Sequence, residues 1–324
     1  MCYDVRIGKY RLRHVEEIKI TSSVETLADT ATIKCPLNVF NKSLSISDKI
    51  RPGDAVEISL GYDNVLCREF KGYLKSIQTD GGNLTIDCED DLYTFRCDMK
   101  DKQYSSVSLK QMVEDLVNTV NVHRQDIGEN PLSYECDYSF YYDKFTVATS
   151  TAFDVLSKIH DETHANIFIQ ESCLYIQAPY SQMDKDVVRY SMQENIDRDG
   201  MNLKWRSLYE KKIKIVNKGK DAKGKVITVV VGEAGGDTIT MQSKGVTTEA
   251  NLQRIAQSVY DSKRYEGYEG DFTTWLSPFV TPGCSAQIKD ADDDTKDGQY
   301  YILSVATEFG SSGAKRKIGL GKRI

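Results

Sequence analysis

The chain has 324 residues, 40% apolar and 28% charged, with a formal net charge of −6. That length allows two or three domains, each with its own core, and the acidic balance argues against a nucleic-acid backbone as the main partner. The start, MCYDVRIGKYRLRHVEE, lacks the apolar core of a signal peptide, and no apolar run is long enough to span a bilayer.

Residues 1–98 read as β-structure throughout. Val5 and Ile7 alternate with polar neighbours before a turn at Gly8-Lys9. In SVETLADTATIKCP, Leu27, Ala31, Ile33 and Cys35 share a face that Asp29 interrupts, and Pro36 stops the ladder. After Pro52-Gly53, the alternation of Val56, Ile58 and Leu60 with Glu57 and Ser59 is that of a half-buried strand. Leu84, Ile86 and Cys88 repeat the pattern after a Gly81-Gly82 turn.

Near residue 100 the period changes. Leu109, Met112, Val113, Leu116 and Val120 predict a helix, with Ser106 or Ser108 as its N-cap. Phe153, Leu156 and Ile159 predict a second. NIFIQESCLYIQ then reads as a hairpin with Ile167 and Ile169 in phase with Leu174 and Ile176. From about 184 strands return, interrupted by a helix bearing Leu252, Ile255, Ala256, Val259 and Tyr260, capped by Thr247 or Thr248 with Glu249 at its positive end. Strands around Ala286/Ile288, YYILSV and Ile318/Leu320 close the chain. The eight cysteines (Cys2, Cys35, Cys67, Cys88, Cys97, Cys136, Cys173, Cys284) form no C-x-x-C pair and read as reduced, mostly buried thiols.

One pattern occurs twice. IRPGDAVEISLGYDN is echoed by VTPGCSAQIKDADDD, Pro-Gly at 52 recurring at 282. Val56 and Ile58 match Ala286 and Ile288, and Tyr73, Ser76 and Ile77 match Tyr301, Ser304 and Val305. An in-phase match over three strands argues for duplication of one module. The expected fold is mainly β with α+β insertions: two similar small β-barrel domains flanking a helix-containing middle module. Its parts are a first barrel at 1–98, an α+β module at 99–183, and a second barrel at 184–324. The last carries a hairpin insertion (about 211–240) and a helix (about 248–264).

Four stretches invite a chemical reading. HDETH at 160–164 places His160 and His164 four apart on a helix, but Asp161 stands where a zinc protease needs Glu, and only His14 and His123 remain as further histidines. A pair of partly exposed helix-end histidines is the expectation, against a metal-dependent hydrolase. DADDDTKDG sets Asp290, Asp292 and Asp294 as in a calcium loop, with Thr295 in place of the required Gly and Tyr301 in place of the Glu. A solvated acidic hairpin is expected. KKIKIVNKGKDAKGK (211–225) reads as a lysine-rich hairpin that resists edge pairing, the alternative being contact with an acidic protein or passing DNA. GEAGGD at 232–237 lacks the Lys-Ser/Thr of a phosphate loop.

The order of these motifs resembles the baseplate hub proteins of contractile phage tails. That group includes late-control-D proteins, Mu-like phage hubs and the amino-terminal part of type VI secretion spike proteins. The resemblance rests on SVETLADTATIKCP, IRPGDAVEISLGY and REFKGYLKSI; on FTVATSTAFDVLSKIHDETHANIFIQESCLYIQ; and on YEGYEGDFTTWLSPFVTPGCSAQI with GQYYILSVATEFGSSGAKRKIGLG. The chain departs from it near Trp275, where the family often has a small residue, and in the enlarged segment 211–240.

The resemblance implies a non-enzymatic structural protein without cofactor or metal. It implies a homotrimer whose paired barrels make a pseudo-six-fold ring between tail tube protein and spike protein. DNA would pass through that ring without specific recognition. It implies bacterial cytoplasm during assembly and the virion baseplate afterwards. An end at Ile324 with no fused spike favours a phage tail over a type VI secretion hub. FTVATSTAFDVLSKIHDETHANI also resembles a peptidoglycan-binding LysM repeat in its βα order, without the Gly-Asp-Thr turn, which keeps a cell-wall-binding module as a further alternative. Residues contacting tube or spike are not assigned.

Overall fold

A computed structural model describes all residues except 40–41, 44–48, 179–186, 209–211, 222, 244–245 and 247. Among the described residues the chain is mainly β with three α-helices, and contacts divide it into two units. The first comprises Met1–Tyr93, Gln182–Lys204 and Tyr268–Ile324, the second Thr94–Ser181 and Trp205–Gly267. This division does not follow chain order: strands from both expected barrel segments share one sheet in the first unit.

In the first unit, Cys2–Ile7 pairs with Ala55–Tyr62, which pairs with Val65–Asp80, then Asn83–Glu89, Thr30–Pro36 and Glu17–Ser23. The inward positions of all six strands form one cluster, from Val5 and Ile7 through Ile18, Ile33, Ile58 and Leu74 to Ile86. The two ends of this set come together. Tyr3, on the first strand of the order, packs edge-on against Phe309, 5.3 Å between ring centroids, and Phe309 is the ladder partner of Ile18 on the last strand. Strand twist and bulges curl such a sheet over its apolar face.

Local expectations meet their outcomes here. Gly8-Lys9 is the turn between Ile7 and its partner Tyr10, and Pro36 is the last residue of its strand. Leu27 does not join the face of Ala31, Ile33 and Cys35, because the strand begins only at Thr30. Asp29 is instead turned onto Asp90: the Asp29 N–H donates to the Asp90 carboxylate at 3.0 Å, and the Asp90 N–H to the Asp29 carbonyl at 3.0 Å. Burial pushes the Asp29 carboxyl up to about 6, and burial together with the Asp29 charge pushes Asp90 well above the ordinary range. Fewer cysteines are buried than the sequence suggests: Cys35, Cys88 and Cys173 are, while Cys67 is exposed on an outward strand position.

In the second unit, α1 (Leu109–Asp126) buries Leu109, Met112, Val113, Leu116, Val117 and Val120, the stripe that its period predicts. Ser108 is its N-cap, accepting from the Gln111 N–H at 3.2 Å; Ser106 sits outside the helix at φ +50°. Helix α2 (Ala152–Thr163) starts in a capping box between Thr151 and Asp154. The hairpin Asn166–Gln170/Cys173–Gln177 pairs Ile167 with Ile176 and Ile169 with Leu174, in the expected phase. Ile213–Lys220 is the central strand of a three-stranded sheet, and α3 (Glu249–Lys263) packs on it. Thr248 is the N-cap of α3 but makes no side-chain cap bond, and Thr247 lies outside the described residues. This hairpin and helix, expected as insertions in the second barrel, belong to the second unit. The reason is local bonding: Asn251 donates to the Tyr141 carbonyl at 2.9 Å and Arg254 to the Ser139 carbonyl at 3.0 Å.

Candidate functional site

The repeated strand pattern is repeated in hydrogen bonds. At each Pro-Gly turn the glycine takes positive φ, +94° at Gly53 and +85° at Gly283, where an L side chain is strained. The Gly53 N–H donates to the Leu74 carbonyl at 2.8 Å, and the Gly283 N–H to the Ile302 carbonyl at 2.8 Å. In return Leu74 donates to Asp54 at 2.8 Å and Ile302 to Cys284 at 3.0 Å. Ala55 then opposes Tyr73 as Ser285 opposes Tyr301. Both long strands slip register at the same place, between Leu74 and Ser76 in one copy and between Ile302 and Ser304 in the other. Beyond the slip, Ile77 faces Ile86 as Val305 faces Ile318.

Strand order agrees as well. The first copy runs Cys2–Ile7, Ala55–Tyr62, Val65–Asp80, Asn83–Glu89, Thr30–Pro36; the second runs Val187–Ser191, Ser285–Lys289, Gly298–Gly310, Gly313–Arg323, Gly267–Trp275. They differ in one direction: the first strand pairs antiparallel in the first copy and parallel in the second.

The copies are joined along a strand edge. Residues 304–309 of Gly298–Gly310 extend past Ser285–Lys289 and pair antiparallel with Glu17–Ser23, from Ser304 opposite Ser23 to Phe309 opposite Ile18. A buried ion pair crosses the same joint. Arg316 in the second copy donates through Nη2 to both carboxylate oxygens of Glu69 in the first, at 2.6 and 2.7 Å, with the two side chains 0% and 5% exposed. Nη1 donates to the Leu276 and Pro278 carbonyls at 2.5 and 2.6 Å, and Thr307 donates to Glu69 Oε2 at 3.4 Å. Glu69 can turn inward because it is the extra residue of a β-bulge: Ile58 opposes Phe70 while Ser59 already opposes Arg68. Charges so buried need each other, since breaking such a pair typically costs about 3–5 kcal/mol. Sequence reading passes over this pair, although one signal was present. Arg316 shares the parity of Ala314, Ile318 and Leu320, so a cation occupies a core position of an alternating strand.

The stretches with chemical promise resolve otherwise. Helix α2 ends at Thr163, and His164 caps it in the left-handed conformation at φ +53°, so His160 and His164 do not continue on one helical face. The His160 imidazole lies 3.5 Å from Asp161, and burial followed by the nearby His160 lowers the His164 pKa. Among the described residues no group of three or more His, Cys, Asp or Glu side chains could hold a metal ion, and that includes the calcium-like loop. Three of its carboxylates are engaged within the protein: Asp290 accepts from the Asp292 N–H at 3.0 Å and Gln193 at 2.7 Å, Asp292 from Arg198 at 3.1 Å, and Asp293 from Lys296 at 2.7 Å. These bonds lower the Asp290 and Asp293 pKa values, through the Asp292 N–H and Lys296 respectively. In 232–237, Glu233 pairs with Arg264 at 3.2 Å. Of the lysine-rich run, Lys211 and Ala222 lie outside the described residues, and Lys214, Lys218 and Lys220 lie on the central strand of its sheet.

A mainly β fold with a duplicated strand pattern and helical insertions defines the class of fold. No protein-family model and no curated protein sequence matches the chain. Solved structures do. The chain is similar to the tail protein from Neisseria meningitidis MC58, with TM-score 0.67 and 16% identity, covering 99% of this chain and 96% of that one. It is similar to the 43 kDa tail protein of prophage MuSo2 from Shewanella oneidensis, with TM-score 0.64 and 13% identity over 99% and 98% of the two chains. A type VI secretion component of E. coli, described as structurally similar to bacteriophage T4 tail proteins, matches with TM-score 0.56 and 10% identity over 99% and 79%. The chain therefore has the fold of phage tail proteins along nearly its whole length.

Proposed function

We propose that this chain is the structural baseplate hub of a phage or prophage contractile tail, a homotrimer whose six barrels form a ring between tail tube and spike. The observation that carries the reading is the duplication, matched in turn hydrogen bonds, strand order and register slip, and placed within a fold shared end to end with tail proteins. Two near-equivalent barrels per chain let three chains meet a six-fold tube on one side and a three-fold spike on the other. Closed cyclic symmetry with head-to-tail contacts is the ordinary way to build such a ring. The role asks for rigidity and matching surfaces and assigns no chemistry to the chain. Among the described residues no helix is long and apolar enough to cross a membrane.

The similarity to the type VI secretion component supports a second reading, the hub of a related injection system. One experiment separates the two. Tail-like particles are purified from the cells that make this protein and labelled with an antibody to it. Label at the baseplate end, with baseplates missing from particles of a deletion strain, supports the tail hub. Intact particles without label, together with loss of contractile secretion on deletion, support the second reading. Normal particles and normal secretion without the chain would remove both.

A further inference from the structure

The joint between the two copies is made once, although the chain carries its parts twice. In the second copy, the long strand runs beyond the register slip at Ser304, and its exposed edge is covered by Glu17–Ser23 of the first. The corresponding stretch of the first copy is residues 76–80, beyond the slip at Ser76. There the opposite edge is paired, Ser76 with Asp87 through Asp80 with Asn83, while Ala55–Tyr62 reaches only as far as Tyr73. Among the described residues no strand covers the edge of 76–80.

Burial follows this difference. Val305 and Thr307, under the joint, are 5% and 2% exposed; their counterparts are half-buried at Ile77 and exposed at Thr79. The open stretch, Ser-Ile-Gln-Thr-Asp, contains neither Lys nor Pro, the residues that usually protect a free edge from pairing.

The missing partner is also present, at the other end of the second copy. Glu17–Ser23 lies beside Thr30–Pro36 in the first copy, and Gly267–Trp275 occupies the place of Thr30–Pro36 in the second. Segment 197–204 lies along Gly267–Trp275 at the place that Glu17–Ser23 takes beside Thr30–Pro36, but as turn and coil with single contacts where Glu17–Ser23 has a continuous ladder. Asp197 bridges to Thr273, and the Asn202 N–H donates to the Asp271 carbonyl at 2.8 Å. Residues 198–202 are exposed, including Met201.

We infer that the edge of residues 76–80 in one chain pairs with segment 197–204 of a second copy, repeating between chains the joint that Gly298–Gly310 and Glu17–Ser23 make within one. The two surfaces differ, so each chain offers one of each. Association is then head to tail, which makes a ring where the rotation closes, and is not a two-fold dimer. The inference rests on the ring reading proposed above and names its contact. Another exposed edge strand, Asp237–Gln242, has no such argument, because no copy of it is filled elsewhere in the chain.

The test compares the purified wild-type chain with Thr79→Lys, a change at an exposed side chain that places a charge where the counterpart Thr307 is buried. Light scattering gives the mass, thermal melting the fold, and hydrogen exchange the state of the edge. Expected are a wild-type mass of more than one chain, amides at 76–80 exchanging as slowly as those at 304–309, and a Thr79→Lys variant of one-chain mass with an unchanged melting curve. Three results would overturn the inference: a wild-type chain that stays single at its highest soluble concentration, an assembly whose 76–80 amides exchange as fast as those of Asp237–Gln242, or a Thr79→Lys assembly of unchanged mass. A fast-exchanging edge in a closed ring removes this contact and leaves the ring. Failure of particle labelling removes the tail role and leaves the contact.

Discussion

The two strand sets share turn, register and slip, yet among the described residues one has its outer edge covered and the other does not. The covered copy is held by the ladder to Glu17–Ser23 and by Arg316 reaching Glu69; the open copy ends in a two-glycine hairpin at Gly81-Gly82. Conserved geometry with unequal satisfaction is what a repeated module shows when one of its two contacts lies within the chain and the other is left for a neighbour. The shared parts describe the module, and the unequal parts are where the proposed pairing between copies falls.

The largest way to break this comparison is at the covered joint. Arg316→Ala leaves Glu69 buried and unpaired and is expected to cost about 3–5 kcal/mol in a denaturant titration. Arg316→Met combined with Glu69→Leu should recover most of that loss, because the pair then leaves no charge behind. A loss in the double variant as large as in the single one would show that the pair does not hold the joint.

The equivalence of the turns is tested next. Gly53→Ala and Gly283→Ala should each cost about 1–3 kcal/mol and by similar amounts, since both place a side chain at positive φ. A cost at only one of them would mean that the copies are alike in outline and unlike in strain.

A smaller effect distinguishes the copies by pH. The first copy carries Asp29 and Asp90; at the place of Asp90 the second has Lys322, two residues past the matched pair Cys88 and Leu320. Folding raises the pKa of both carboxyls, Asp29 to about 6, so each binds its proton more tightly folded than unfolded. The Asp29 contribution is fully present below the ordinary carboxylate value of about 4 and is lost as pH rises through about 6, and that of Asp90 has the same sign. Unfolding midpoints should therefore fall over that window in the wild type and fall less in Asp29→Asn. A midpoint that rises over the window as much in both would contradict the shift.

The smallest effect lies in the second unit. Thr151→Ala removes a capping box and should cost about 1 kcal/mol, while Thr248→Ala, at a cap that makes no side-chain bond, should leave the melting curve nearly unchanged.

Much of this was legible in the sequence, and the boundary has a physical cause. Alternation and helical period are local, so the phase of Ile167 and Ile169 with Ile176 and Leu174, the stripe of α1 and the echo of Pro52-Gly53 in Pro282-Gly283 could all be read directly. Strand partners are not local. Nothing in YYILSVATEF says that residues 304–309 pair with Glu17–Ser23, because an alternating strand records which face is buried and leaves its edges unmarked. Grouping of the hairpin and α3 with the middle module was hidden for the same reason, since Asn251 and Arg254 bond to backbone carbonyls that any residue supplies. Asp29 and Arg316 were visible as charges in apolar phase, but finding their partners requires the fold. The histidine pair read as a helix-end feature, and the left-handed cap at His164 gives that reading its geometry.

The central claim, a ring of duplicated modules, is tested most directly by imaging the purified chain in negative stain after its mass has been fixed by light scattering. The account predicts three chains in a ring of six lobes alternating between two similar kinds. A two-fold dimer, or a compact particle without a central opening, would contradict it.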